Sequence, residues 1–170
     1  MGIIWSRVRN RVELLLVFVV MLSIISGAFF IEMLGYKPCV LCLYQRIPYY
    51  VGLFLTFVLL TMPEHAIMKN IFLLALIITL VVSAGLGWFH AGVEFKWWQG
   101  PKGCSGTIDA QDIQSMLESI RNTSAVSCNK PSLLIFGYSL SVWNALWSLA
   151  LIIILSAGVF LKGGNKELNS

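Results

Sequence analysis

The sequence predicts an all-α membrane protein: a four-transmembrane-helix bundle with two loops on one side and a short amphipathic helix at the interface. Composition is the first sign, with 58% hydrophobic and 12% charged residues where an ordinary soluble domain has roughly a quarter charged. The second is the arrangement of the apolar residues into four long runs separated by short polar joins. The third is the polar stretch from Glu94 to Pro131, which collects most of the remaining polar residues between the third and fourth runs.

With 170 residues and spans of about 20 residues each, the chain has room for four helices and their loops. The reading is a single integral membrane domain over 1–170, with spans near 14–34, 40–62, 71–90 and 140–161 and outer loops at 35–46 and 94–132. A net charge of +4 could suggest nucleic acid. The basic residues are scattered at the ends of apolar runs and form no stripe, so headgroup anchoring explains them better.

Arg7, Arg9 and Arg11 precede the first run, as expected of an N-terminus kept in the cytoplasm. Ser26-Gly27-Ala28 resembles a small-residue cleavage site, but the apolar stretch continues through Ile31, beyond the usual h-region of about 7–15 residues. A retained first span is therefore expected. Ser23 and Gly27 have small-xxx-small spacing, which lets another helix come close, and Glu32 at the outer end is assigned no chemistry.

The second apolar run, Ile47 to Met62, would reach only about 24 Å at 1.5 Å per residue, short of a ~30 Å hydrocarbon core. Its helix is expected to begin near Pro38 or Cys39, leaving Pro48 inside and the carbonyl of Tyr44 without its usual partner; a start at Pro48 is the alternative. Pro63 to Asn70 is a short connection whose His65 reads as solvated, and span three repeats the close-packing spacing at Ser83 and Gly87 before ending at His90.

In the long loop, Gly100-Pro101 and Gly103 are turn signals, and Trp97-Trp98 suit the membrane interface. Ile113, Met116, Leu117 and Ile120 follow i, i+3, i+4, i+7 spacing, the mark of a short amphipathic helix on the membrane surface. Asn144 in span four is a buried amide expected to hydrogen-bond a neighbouring helix. Lys and Arg are tied between the two proposed faces, with Arg7, Arg9, Arg11, Lys69, Lys162 and Lys166 against Lys37, Arg46, Lys96, Lys102, Arg121 and Lys130. The N-terminal cluster and the cysteines decide the orientation: both termini inside, cysteine loops on the oxidising side.

The four cysteines fall into two pairs. Cys39 and Cys42 form a Cys-x-x-Cys at the start of a helix, where partial positive charge and free N–H groups favour a thiolate. Arg46, one turn after Cys42, can bring its guanidinium near that sulfur, or can snorkel to the interface. A zinc site needs further ligands that the spacing does not offer. A structural bridge across two residues would constrain the unfolded chain little. Redox exchange keeps most of the weight. Cys104 and Cys128, in a polar loop, read as a second exchanging pair open to a soluble partner, with a structural bridge as the alternative.

Electrons reaching Cys39 and Cys42 must leave again. No nucleotide-binding Gly-x-Gly-x-x-Gly, haem-attachment or iron–sulfur pattern is present in the sequence. A lipid-soluble quinone needs only an apolar slot between helices and polar groups for its oxygens, for which Arg46 and His90 are the candidates.

The stretch Lys37-Pro38-Cys39-Val40-Leu41-Cys42-Leu43-Tyr44-Gln45-Arg46 resembles the first periplasmic loop of the DsbB family of bacterial disulfide bond formation proteins. His90-Ala91-Gly92-Val93-Glu94, followed by Gly100-Pro101 and Cys104, is similar to the second loop of many members. The resemblance implies a multi-pass enzyme of the bacterial inner membrane with periplasmic cysteine loops. It would reoxidise a periplasmic DsbA-like thioredoxin-fold dithiol oxidase and pass two electrons to ubiquinone or menaquinone. It further implies that Cys104 forms the mixed disulfide with the partner and that Cys128 exchanges with Cys39, releasing Cys42 as the thiolate facing the quinone. Arg46 matches the family arginine that supports quinone and thiolate; His90 approximately matches a histidine near the ring.

Two other readings compete. A quinone reductase resembling the vitamin K epoxide reductase family would carry its redox pair near the end of a late span, whereas Cys39 and Cys42 precede span two. A non-enzymatic membrane scaffold with structural bridges would show no thiol–disulfide exchange.

Overall fold

The computed structural model describes residues 2–63, 67–101, 104, 127–131 and 133–167. The four long helices are α1 (Gly2–Met33), α2 (Val40–Thr61), α3 (Ile67–Glu94) and α4 (Leu140–Glu167), and a two-stranded hairpin, β1 (Leu134–Ile135) and β2 (Tyr138–Ser139), leads directly into α4. The predicted surface helix over 113–120 and His65 lie outside the described residues. Each helix contains a segment long and apolar enough to cross a membrane: Arg11–Met33, Val40–Thr61, Met68–Glu94 and Leu140–Ala157. The fold is the all-α membrane bundle that the apolar runs predict.

Side chains sort as a bilayer requires. Leu14, Val17, Met21 and Ile25 recur on one face of α1 and meet Tyr49 and Leu59 of α2, Leu76 and Leu80 of α3, and Leu151 and Leu155 of α4. The opposite faces stay apolar, with Phe54 at 64% and Ile153 at 67% exposure; in water an apolar surface of this extent would associate, whereas lipid tails solvate it. Without a hydrophobic drive between helices, close packing falls to small residues. A side chain at Gly87 would strike the backbone of Ala145 at 2.9 Å, and one at Gly52 would meet Met21 Sδ at 2.9 Å. Ser83, one turn from Gly87, accepts a hydrogen bond from Ser148 Oγ across the α3–α4 interface at 2.9 Å.

The spacing at Ser23 and Gly27 behaves differently from expectation. No other helix comes against it: a Cβ on Gly27 would meet nothing within 4 Å, and Ser23 turns its hydroxyl to Val19 O at 2.8 Å. These small residues instead recess the wall of a cavity.

Two helix ends shape the cysteine-bearing end of the bundle. At the close of α1, Gly35 N–H bonds Glu32 O at 2.9 Å and Tyr36 N–H bonds Ile31 O at 3.3 Å, with Gly35 at φ +97°. This is the Schellman pattern, and it turns the chain toward Cys39. The end of α3 repeats it with Lys96 (φ 61°) in the left-handed position, bonded to Val93 O at 3.1 Å, while Trp97 N–H bonds Gly92 O at 2.8 Å. Trp98 then folds back over Gly92, donating its indole N–H to Phe89 O at 2.9 Å. The ring occupies the space that a Cβ on Gly92 would need.

Ahead of α4, Phe136 and Gly137 both take positive φ, 52° and 82°, the turn that suits a two-residue hairpin. Trp143 holds it to the helix through Ile135 O at 3.1 Å. Sequence analysis assigned no hairpin here, because Phe-Gly is a weak turn signal beside Asn-Gly or Asp-Gly.

Gly92→Ala should therefore lower stability by about 1–3 kcal/mol through forced displacement of Trp98. Gly85→Ala, with nothing within 4 Å of the added methyl, should stay within about 0.5 kcal/mol of the parent. Denaturant unfolding of both variants in the same micelles checks the pair.

Candidate functional site

α1 ends, α2 begins, α3 ends and α4 begins at one end of the bundle, and all four cysteines meet there. Cys39, Cys104 and Cys128 form one buried cluster with Leu41 and Val93, and Cys42 packs on its edge. Cys104 and Cys128 are joined in a disulfide, while Cys39 and Cys42 are free thiols. The bridge is held by the backbone: Cys128 N–H bonds Cys104 O at 3.0 Å, and Cys104 N–H bonds Pro101 O at 2.9 Å. Gly100 lies so near that a side chain there would meet Cys104 Cβ at 2.8 Å and Val93 Cγ1 at 3.2 Å.

The bridge was expected to face a soluble partner, yet Cys104 and Cys128 are each only 1% exposed. The folded-back Trp97–Gly100 segment brings the bridge down onto Val93 and beside Cys39.

Cys39 is the N-cap of α2, and its sulfur accepts from Cys42 N–H at 3.3 Å. Its Sγ lies 2.8 Å from Cys42 Sγ and 3.5 Å from His90 Nε2. The hydrogen bond with the Cys42 thiol holds the Cys39 thiol well below the ordinary thiol range against the opposing effect of burial; His90 and the Cys42 backbone N–H act in the same direction. Position at a helix N-terminus is the sequence signal that foretold this.

Cys39, Cys42 and His90 present three ligand atoms within 4.8 Å of one another, a set that could hold a metal ion. Zinc–sulfur bonds of about 2.3 Å in a tetrahedral site would set two sulfurs about 3.7 Å apart. The two sulfurs here lie closer than that, 2.8 Å apart.

Cys42, Arg46 and His90 line a cavity of about 400 Å³ between α1, α2, the end of α3, α4 and the hairpin. Its walls are mainly apolar, including Ile24, Ile31, Leu140 and Trp147. Arg46 reaches the cavity, and its guanidinium is engaged by α1. It donates to Glu32 Oε1 at 2.7 Å and stacks over Phe29, 5.1 Å from the ring centroid. A full carboxylate outcompetes a thiol for a guanidinium, and α1 supplies one at the right height.

His90 is 2% exposed and stands in a line of buried polar groups. Gln45 Nε2 is 2.8 Å from His90 Nδ1, Asn144 Nδ2 donates to Gln45 Oε1 at 2.9 Å, and Tyr49 OH donates to Asn144 Oδ1 at 2.6 Å. Tyr49 OH also lies 3.1 Å from Ser148 Oγ. On the other side, Glu94 Oε1 is 3.6 Å from His90 Nε2, and Glu94 Oε2 accepts from Ser141 Oγ at 2.7 Å. Asn144 was expected to bond a neighbouring helix and does. Glu32 was noted in the sequence without a chemical role, Gln45 and Glu94 only as members of the family-like stretches, and Tyr49 and Ser141 not at all. Glu94, one turn beyond His90, could have been found from its spacing, whereas the others depend on which helices become neighbours.

A dithiol at a helix N-terminus, a second cysteine pair against it and a membrane-embedded bundle define the class: an integral membrane protein built for thiol–disulfide chemistry. Residues 10–158 match the family of disulfide bond formation protein DsbB, and the chain belongs to that family of oxidoreductases. It is similar to the uncharacterized protein RP370 of Rickettsia prowazekii (strain Madrid E), at 29% identity over 164 residues covering 93% of this chain and 94% of that protein. No solved structure matches.

A lowered Cys39 pKa means that the thiolate persists as pH falls beneath the ordinary thiol value of about 8.5. Its reactivity is lost only as pH drops through the lowered value. Alkylation of Cys39 in the reduced protein, mapped by peptide mass spectrometry, should be nearly flat with pH just below that ordinary value. His90→Ala should move the fall-off upward.

Proposed function

We propose that the protein is a thiol oxidase that takes two electrons from a DsbA-like dithiol protein and delivers them to a membrane quinone. The observation that carries this reading is the position of Cys42. Its sulfur is in contact with Cys39, and the residue itself lines the interhelical cavity, which Cys39 does not.

The exchange balances as follows. A partner thiolate attacks Cys104 Sγ, the Cys104–Cys128 bond breaks, and Cys128 leaves as thiolate. Cys128 attacks Cys39 of an oxidised Cys39–Cys42 pair, and Cys42 leaves as thiolate with the electron pair. The partner's second thiol displaces Cys104, so the partner departs as a disulfide; Cys104 then displaces Cys39 from Cys128 and restores the loop bridge. The inner pair is now a dithiol beside an intact bridge, the combination seen here.

Closing the Cys39–Cys42 bond again releases two electrons and two protons, and a bound quinone supplies the acceptor for both. The cavity suits such a ring in chemistry: mainly apolar walls, with Arg46, His90 and Glu32 among the polar groups that line it. Arg46 would hold a ring oxygen, while His90, whose nitrogens face Gln45 on one side and Cys39 and Glu94 on the other, borders the ring. Glu32 keeps the guanidinium at the cavity wall, and the cation stacked on Phe29 needs no water to be stabilised. Cys39, held as thiolate at the helix N-terminus, is the nucleophile toward the Cys42 sulfur, and the S–S bond forms as the electron pair on Cys42 passes to the acceptor.

The direction of flow is favourable for any acceptor above the partner. A DsbA-type dithiol has a potential of about −120 mV, and each 30 mV is worth about 1.4 kcal/mol for two electrons. The reading places the cysteine loops on the periplasmic side of a bacterial inner membrane, with both termini in the cytoplasm and the chain as one membrane domain.

Purified protein mixed with quinone and a reduced thioredoxin-fold dithiol should bleach the quinone absorbance, and Cys42→Ser and Cys104→Ser should each abolish it. Quinone reduction that survives without Cys42 would overturn the proposal. Arg46→Met should raise KM for quinone by roughly tenfold or more, the loss of a charge-assisted hydrogen bond, while leaving exchange with the partner intact.

A further inference from the structure

The buried polar line that ends on Cys39 has a direction. Tyr49 has one hydroxyl hydrogen and gives it to Asn144 Oδ1 at 2.6 Å. That fixes the Asn144 amide with its Nδ2 toward α2, where it donates to Gln45 Oε1 at 2.9 Å. With its oxygen engaged, Gln45 can offer His90 only its NH₂, and Nδ1 of the ring, 2.8 Å away, must be the acceptor. An imidazole that accepts at Nδ1 carries its hydrogen on Nε2. Nε2 faces Cys39 Sγ at 3.5 Å and Glu94 Oε1 at 3.6 Å.

We propose that Gln45, locked by Asn144 and Tyr49, is a positioning residue that holds His90 as the Nε2–H tautomer, so that the ring presents a hydrogen rather than a lone pair to Cys39.

The alternative arrangements all break something. Placing a hydrogen on Nδ1 sets N–H against N–H unless Gln45 turns over. A turned Gln45 puts its NH₂ against the NH₂ of Asn144 unless Asn144 turns as well and the Tyr49 hydroxyl goes to Ser148 Oγ at 3.1 Å; that reversed line leaves a bare Nε2 lone pair facing Cys39 Sγ and the Glu94 carboxylate. Gln45 and Asn144 are 8% exposed and Tyr49 2%, and an unmatched polar group at that depth is costly. The groups come from three helices, with Gln45 and Tyr49 one turn apart on α2, Asn144 on α4 and His90 on α3. The lock therefore also registers those helices at the depth of the thiol pair. Serving Cys39 as the nucleophile toward Cys42 rests on the thiol-oxidase reading; the tautomer itself does not.

The chain has two histidines, His65 and His90, so His65→Gln leaves one ring for nitrogen NMR. In reduced, quinone-free protein labelled with ¹⁵N-histidine, the His90 signals should be those of a bare Nδ1 and a hydrogen-bearing Nε2. Gln45→Glu puts an acceptor-only carboxylate in the same place and should shift the hydrogen onto Nδ1. Tyr49→Phe unfastens Asn144 and should give a mixture, with Cys39 alkylation falling in proportion to the rings that have lost Nε2–H. A support role confined to packing would lower unfolding stability and leave the ring signals unmoved.

Nδ1–H in the parent protein overturns the proposal, and so does an unchanged tautomer in folded Gln45→Glu. Should Gln45→Glu not fold, Tyr49→Phe decides on the same signals. Because neither quinone nor partner is present, a failed lock leaves thiol oxidation standing. A correct tautomer in a protein that cannot reduce quinone does the reverse.

Discussion

The N-terminus of α2 and a buried disulfide have to share one end of the bundle before anything else in this protein has a use. A thiol exchanges only with a sulfur it can touch, and exchange is fast when a thiolate is available. Cys39 meets both needs, as a helix N-cap within the cluster that contains Cys104 and Cys128. That contact depends on Trp98 lying across Gly92 and on Gly100 passing close to Val93. Two glycines and a tryptophan thus determine whether the second loop brings its sulfurs to the first.

Burial sets the terms at this end. Polar groups in an apolar surrounding are costly unless every donor and acceptor is matched, and among the described residues no buried side-chain nitrogen or oxygen lacks a partner. Matching leaves little freedom. The Tyr49–Asn144–Gln45–His90 line couples the orientation of each amide to the tautomer of the ring, and the Arg46–Glu32 pair lets a guanidinium remain at a half-buried wall. The same groups that tie α1, α2, α3 and α4 together therefore also set the electrostatics around the thiols. Rigid registry and redox chemistry draw on the same hydrogen bonds.

Much of the fold was legible in the linear sequence, because spans follow from apolar run length and loops from what interrupts them. The start of α2 at Val40, with Cys39 as its cap and Pro48 inside, follows from the shortness of the run that begins at Ile47. Ser83, Gly87 and Asn144 were readable as interhelical contacts for the same reason that polar and small residues are rare in spans. What stayed hidden depends on pairing between distant helices. Glu32 looked like an ordinary interfacial acid until α1 packed beside Arg46, and Gln45 looked like the polar end of a loop until it met His90. Ser23 and Gly27 carried a correct signal with an ambiguous meaning, since a small-residue face admits either a helix or a ligand. The depth of the Cys104–Cys128 bridge was misread because a polar loop suggests exposure, whereas the fold-back at Gly92 brings Gly100 and the bridge against Val93.

The most direct measurement is disulfide mapping after a single partial turnover. Fully oxidised, quinone-depleted protein is mixed with a DsbA-like partner that keeps only its attacking cysteine, quenched in acid and digested for mass spectrometry. Electron flow through the two pairs predicts Cys104 joined to the partner and Cys39 joined to Cys128 in the same molecule, with Cys42 free. Partner attached at Cys104 while the Cys39–Cys42 bridge stays intact and Cys128 remains a thiol would contradict it.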